Sequence, residues 1–172
     1  MATATQSEMP AAGGAASWRG RLGRYGPLVA WLAFIFFAST GEMSAANTSR
    51  IVGPLLRWLY PAITEAQLAA AHFVVRKLAH FTEYAVLALL AARAFRTSTH
   101  APLRRRRLII ALLLVAAYAL SDEFHQSFVP TRTASVYDSL IDTAGGATAL
   151  LLLALRQRRR AKRRLDKRPD FA

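Results

Sequence analysis

Four stretches of the chain are apolar over lengths that call for a lipid bilayer or a deep core, and what separates them is polar or basic. They read LVAWLAFIFFAS from Leu28, AVLALLAARAF from Ala85, LIIALLLVAAYAL from Leu108 and ATALLLLAL from Ala147. Extended to the nearest helix breakers and charge blocks, they predict spans at about residues 27–43, 70–95, 107–120 and 136–155. These lengths suit transmembrane helices. The expected fold is therefore all-α, an integral membrane bundle of four transmembrane helices. No internal repeat is visible.

The second and fourth spans are not uniformly apolar. The first half of the second holds His72, Arg76, Lys77, His80 and Glu83. At 100° per residue, Arg76, Lys77, His80, Glu83 and Tyr84 fall within an arc of about 120°. In the fourth, Asp138, Asp142, Gly145 and Ala149 lie within about 60°, so carboxylates and small residues share one face that another helix can approach closely. A first loop-like segment, residues 44–70, is punctuated by Gly53-Pro54 and Tyr60-Pro61. Its IVGPLLRWLY piece is too short to span and suits an interfacial position. A second loop is expected over Ser121–Val136, with Pro130 breaking it.

Residues 1–26 read as a disordered cytoplasmic arm, and 156–172 as a basic cytoplasmic tail. Arg19, Arg21 and Arg24 ahead of a short apolar run resemble a signal peptide. The long polar extension and the bulky WLAFIFF favour a retained first span. Of 23 Lys and Arg, nine lie in Arg156–Arg168, six between Arg93 and Arg107, and three between Arg19 and Arg24. Four spans put these 18 on one side and five on the other. The positive-inside rule then places both termini in the cytoplasm. The polar starts of spans two and four and the loop after span three all converge on the outer side.

Composition adds little beyond this. Apolar residues make up 53% and mean hydropathy is +0.21, as expected of a membrane protein with charged tails. The net charge of +13 does not indicate nucleic acid, because the basic blocks lie at span ends without aromatic interleaving. The partners expected from charge and hydropathy are the bilayer and, at the outer side, an anionic lipid headgroup. With no cysteine, disulfides and thiolate metal sites are excluded, and no cofactor is evident.

A dense ionisable cluster between two apolar runs is costly unless something there uses it. Four uses fit the residue types. Acid–base chemistry could draw on His80, Glu83, Asp122, Glu123 and His125, with Ser121 or Ser127 as nucleophile, though no nucleophile elbow surrounds either. Arg76, Lys77, Gln126, Arg132, Asp138 and Asp142 could bind a phosphate- or carboxylate-bearing headgroup, Arg132 bidentately. A metal, if any, would fall to His80-x-x-Glu83 with Glu123-x-His125. The plainest alternative is that the cations pair with the carboxylates and hold the helix ends together. For Tyr84, Tyr118 and Trp58 that alternative is interfacial anchoring.

RKLAHFTEY at Arg76–Tyr84, YALSDEFHQSFVPTR at Tyr118–Arg132 and D-x-x-x-D-x-x-G at Asp138–Gly145 together resemble the VanZ-like family of bacterial membrane proteins. The resemblance covers about residues 28–155. It implies that Lys77, His80, Glu83, Asp122, Glu123, His125, Gln126, Arg132 and Asp138 are signature positions. Asp142 departs from the pattern, standing where many members carry Asn. The family is named for a protein giving low-level resistance to the glycopeptide teicoplanin. The resemblance thus implies a bacterial inner-membrane protein of the cell envelope with an outward-facing polar site, affecting glycopeptides or cell-wall precursors. It alone adds a lipid-linked cell-wall precursor to the expected partners. An enzyme, hydrolase or transferase, on a lipid-linked envelope substrate is the alternative, and a purely structural membrane protein the second.

Overall fold

The computed structural model describes residues 18–39, 45–128 and 135–166. Among them the chain forms six helices and no strand: α1 (Trp18–Ser39), α2 (Ala45–Leu59), α3 (Glu65–Arg96), α4 (Ala101–Arg105), α5 (Arg107–Gln126) and α6 (Val136–Leu165). Four of these, α1, α3, α5 and α6, are long and apolar enough to cross a membrane. The protein is an all-α multi-pass membrane protein, as the hydropathy pattern predicts. The expected end of the first span at Met43, the arm through residue 17, Pro130 and Arg132 lie outside the described residues.

Helix boundaries differ from the hydropathy reading wherever local chemistry outweighs it. Helix α3 begins at Glu65 instead of near Ala70. There Thr64 and Gln67 close a capping box: Thr64 Oγ1 accepts from the Gln67 amide at 3.3 Å while Gln67 Oε1 accepts from the Thr64 amide at 2.9 Å. SDEFHQ, expected in a loop, is the last turn and a half of α5. Helix α6 runs past the apolar run that ends at Leu155 as far as Leu165, and α1 starts at Trp18.

Gly26-Pro27 and Gly53-Pro54, expected as borders, sit inside α1 and α2. A proline lacks the amide that would bond the carbonyl four residues back. For Pro27 that carbonyl belongs to Gly23, and the Arg93 guanidinium of α3 donates to it from both terminal nitrogens at 3.4 Å. A neighbouring helix thus supplies the donor that the proline removes.

Helix α3 is the centre of the bundle and touches every other described helix. The register is read from individual pairs. Lys77 meets Asp138 and Phe81 meets Gly145, so α3 and α6 run parallel. Val115 meets Gly146 while Arg107 donates to Gln157 at 2.7 Å, so α5 runs antiparallel to α6. Besides the Arg93 contact, helix α1 is held by two side-chain bonds to backbone: Trp31 Nε1 to the Glu83 carbonyl at 2.9 Å, and the Tyr118 hydroxyl to the Leu32 carbonyl at 2.6 Å.

Lipid offers no hydrophobic drive between helices, so close packing of small residues must hold them. The core accordingly consists largely of Ala88, Ala91, Ala92 and Ala94 on α3 and Ala111, Val115 and Ala119 on α5, around Tyr84, Leu87 and Leu150. Gly145 and Gly146 bring α6 closest. A Cβ on Gly145 would overlap the Phe81 carbonyl oxygen and sit 2.9 Å from its carbonyl carbon; one on Gly146 would lie 2.7 Å from Val115 Cγ1.

Candidate functional site

Because α3 and α6 run parallel and both repeat polar residues every three or four positions, their polar faces meet rung by rung. On the outermost rung, Lys77 Nζ and Arg76 share the carboxylate of Asp138: Lys77 donates to Oδ1, and Arg76 Nη2 lies 3.8 Å from Oδ2. One turn inward, His80 Nδ1 lies 3.5 Å from Asp142 Oδ1, beyond hydrogen-bond geometry. At the next rung the side chains disappear and Gly145 abuts the Phe81 backbone.

Helix α5 closes the third side because SDEFHQ is helical. Asp122 and Gln126, four apart, point inward together, and Gln126 Nε2 donates to Asp122 Oδ2 at 2.9 Å. Gln126 and Asp142 are 0% exposed, and Asp122, Glu123 and Asp138 are also buried. Glu123 Oε2 accepts from the Ser135 amide at 2.6 Å, immediately before α6. That places a carboxylate against the unsatisfied amides and positive dipole end of α6.

The structure gathers a different set from the metal ligands expected of the sequence. A ring nitrogen of His80 and one carboxylate oxygen each from Asp122 and Asp142 all lie within 4.8 Å of one another. Glu123 and His125 are two apart on a helix and so point to different sides. Glu123 turns to Ser135, whereas His125 stacks on Phe36 of α1, ring centroids 4.7 Å apart and planes inclined by 22°. Glu83 is within electrostatic reach of His80 but does not join this cluster. Neither serine expected as a nucleophile enters it: Ser121 is exposed, and Ser127 Oγ donates to the Phe124 carbonyl at 2.6 Å.

Two tyrosines read as interface anchors have interior roles. Tyr84 is fully buried, its hydroxyl within electrostatic reach of Asp122 and Asp142 but without a hydrogen-bond partner. Tyr118 tethers α1. The signal for Tyr84 lay in its spacing, one turn beyond His80 on the same face. Trp58, in contrast, is 77% exposed.

Between α3 and α6 the polar end opens into a cleft of about 350 Å³ lined by Phe73, Arg76, Lys77, Ser135, Tyr137, Asp138 and Ile141. Its walls are aromatic and aliphatic, and its charge is two cations against one carboxylate. Such a cleft can receive one more negative charge. Deeper in, the His80–Asp122–Asp142 group has the reverse balance.

A family model described as VanZ/LLP1 matches residues 25–157, well over half of the chain. That interval contains every residue of the cluster and of the cleft. No curated protein matches, and no solved structure does either.

Proposed function

The chain belongs to the VanZ/LLP1 family, and on that premise we propose that it is a cell-envelope membrane protein that recognises an anionic headgroup at the cleft between α3 and α6. The headgroup is a phosphate or carboxylate on a lipid-linked cell-wall precursor or on a membrane lipid. One observation carries the reading: Arg76 and Lys77 share the single carboxylate of Asp138 at the mouth of an apolar-walled cleft. Arg76 Nε is buried without a hydrogen-bond partner. An incoming anion would complete the pairing of two cations that Asp138 alone half satisfies, and charge-assisted bonds of this kind are worth about 1.5–3 kcal/mol each. Phe73, Tyr137 and Ile141 would flank the adjoining acyl or isoprenoid chain.

The distribution of Lys and Arg supports a cytoplasmic position for both termini and an outward-facing cleft, and the family resemblance supports a bacterial inner membrane, on whose outer face envelope precursors are displayed. A protein engaging precursors there would alter how glycopeptides of the teicoplanin type reach them. The absence of cysteine makes orientation simple to test. Tyr60→Cys should react with a membrane-impermeant maleimide in intact cells, and Thr99→Cys only after permeabilisation; the opposite pattern removes the outward-facing site.

Recognition itself is tested by binding to protein in nanodiscs, comparing short-chain phosphatidylglycerol with phosphatidylcholine. Wild type should favour the anionic lipid, and Arg76→Gln or Lys77→Gln should each weaken that preference about tenfold, the equivalent of ~1.4 kcal/mol. Adding Asp138→Asn to the double cation variant removes the stranded carboxylate, so loss of binding there does not stem from an unpaired buried charge. Equal partition of both lipids into wild type, or an unchanged preference in the triple variant, overturns the reading.

A further inference from the structure

We propose that His80, Asp122 and Asp142 bind one divalent transition-metal ion, of the zinc or manganese kind, within the α3–α5–α6 core. The site is separate from the cleft cations and does not depend on the headgroup reading.

Geometry is the first support. The three ligand atoms lie within 4.8 Å of one another, and His80 Nδ1 is already 3.5 Å from Asp142 Oδ1. Two ligands on bonds of about 2.1 Å stand about 3.0–3.4 Å apart at octahedral or tetrahedral angles. Side-chain rotation of about 1 Å closes the group onto an ion, with no backbone movement, because each ligand comes from a different helix already packed against the other two.

The second support is the state of Asp142. It is fully buried, and neither carboxylate oxygen has a hydrogen-bond partner. An uncompensated buried carboxylate is costly. None of the neighbouring donors bonds to it: Lys77 donates to Asp138, Arg76 Nη2 faces Asp138, and the Gln126 amide donates to Asp122. The Tyr84 hydroxyl reaches neither aspartate in hydrogen-bond geometry. Two carboxylates therefore face one imidazole, and a doubly charged cation balances them.

Ligand chemistry selects the ion. One imidazole nitrogen and two carboxylate oxygens suit borderline divalent metals; calcium takes six to eight oxygens, and soft ions prefer sulfur. Three protein ligands leave room for water or a further ligand. The His80 side chain remains 12% exposed, so the site is not sealed.

The test uses the full chain, purified through a tag that does not rely on metal, stripped with chelator, and titrated with zinc or manganese chloride. Metal retained after desalting is measured by mass spectrometry, and unfolding temperature is followed in parallel. Wild type should hold one ion per chain and melt several degrees higher when loaded, because the ion binds only the assembled bundle. Asp142→Asn, nearly isosteric and relieved of the unbalanced charge, should keep its metal-free melting temperature yet bind at least about 100-fold more weakly, a loss larger than outer-shell changes cause. His80→Gln reads the same quantity should that variant fail to fold. His100→Ala, at an exposed histidine, should bind as wild type does. Substoichiometric metal in wild type, or equal retention in wild type, Asp142→Asn and His80→Gln, overturns the proposal and leaves His80 and Asp142 as a pair internal to the bundle.

Discussion

Replacing Gly145 by alanine adds one methyl group where α6 crosses the backbone of α3. Its carbon would sit 2.9 Å from the Phe81 carbonyl carbon, with the carbonyl oxygen closer still. A backbone carbonyl in mid-helix cannot rotate away, so the helices must part by about 1 Å or more to restore ordinary contact. Overpacking costs about 1–3 kcal/mol, and this rigid contact belongs at the upper end. Alanine is the better helix former by about 0.5–1 kcal/mol. The net expectation is a loss of about 2 kcal/mol. Gly146→Ala is the internal control. Its Cβ would lie 2.7 Å from Val115 Cγ1, the end of a side chain, and the opposing terms should leave a change of about 0–1 kcal/mol. Combining Gly146→Ala with Val115→Ala should then show a favourable coupling of about 0.5–1 kcal/mol, since each change accommodates the other. Reversible unfolding in mixed micelles, titrated with dodecyl sulfate, measures all five proteins, Val115→Ala alone included. Gly145→Ala at least as stable as wild type, or no more damaging than Gly146→Ala, would refute the argument that α6 is placed by contact with α3 backbone.

Two further outcomes follow from single contacts. Tyr118→Phe removes the 2.6 Å bond to the Leu32 carbonyl; it should cost about 1 kcal/mol and speed amide exchange in α1 more than in α3, and uniform acceleration would contradict a local tether. Glu123→Ala strips the acceptor from the Ser135 amide and should cost about 2 kcal/mol by the same unfolding assay, with Glu123→Gln losing roughly half as much because its carbonyl can still accept. A silent Glu123→Ala would mean that the α6 amides find other partners.

How much of this was legible in advance depends on the range of the interaction involved. Hydropathy runs located all four spans, because lipid requires a long apolar surface and a helical backbone whatever the neighbours are. The polar faces were also visible: Arg76, Lys77, His80 and Tyr84 share one face by periodicity alone, as do Asp138, Asp142 and Gly145, and the latter three are buried. Boundaries were less legible. SDEFHQ reads as a loop from its polarity, but Asp122 and Gln126 bond to each other one turn apart on the buried face of α5, and the helix continues through them. Pro27 reads as a border until the Arg93 guanidinium is seen to take its place as donor.

Length, apolarity and the 3.6-residue period, constraints that act within a single helix, were enough to specify a four-span helical membrane protein with one polar end. Tertiary structure alone decided who meets whom. It set Lys77 against Asp138 and His80 against Asp142, brought in Asp122 from a third helix, and sent His125 away to Phe36. Those pairings follow from the parallel register of α3 and α6, which rests on a methyl-free contact at Gly145 that no single helix specifies. A periodicity can say which residues share a face; only the packed distance between two helices says which of them touch.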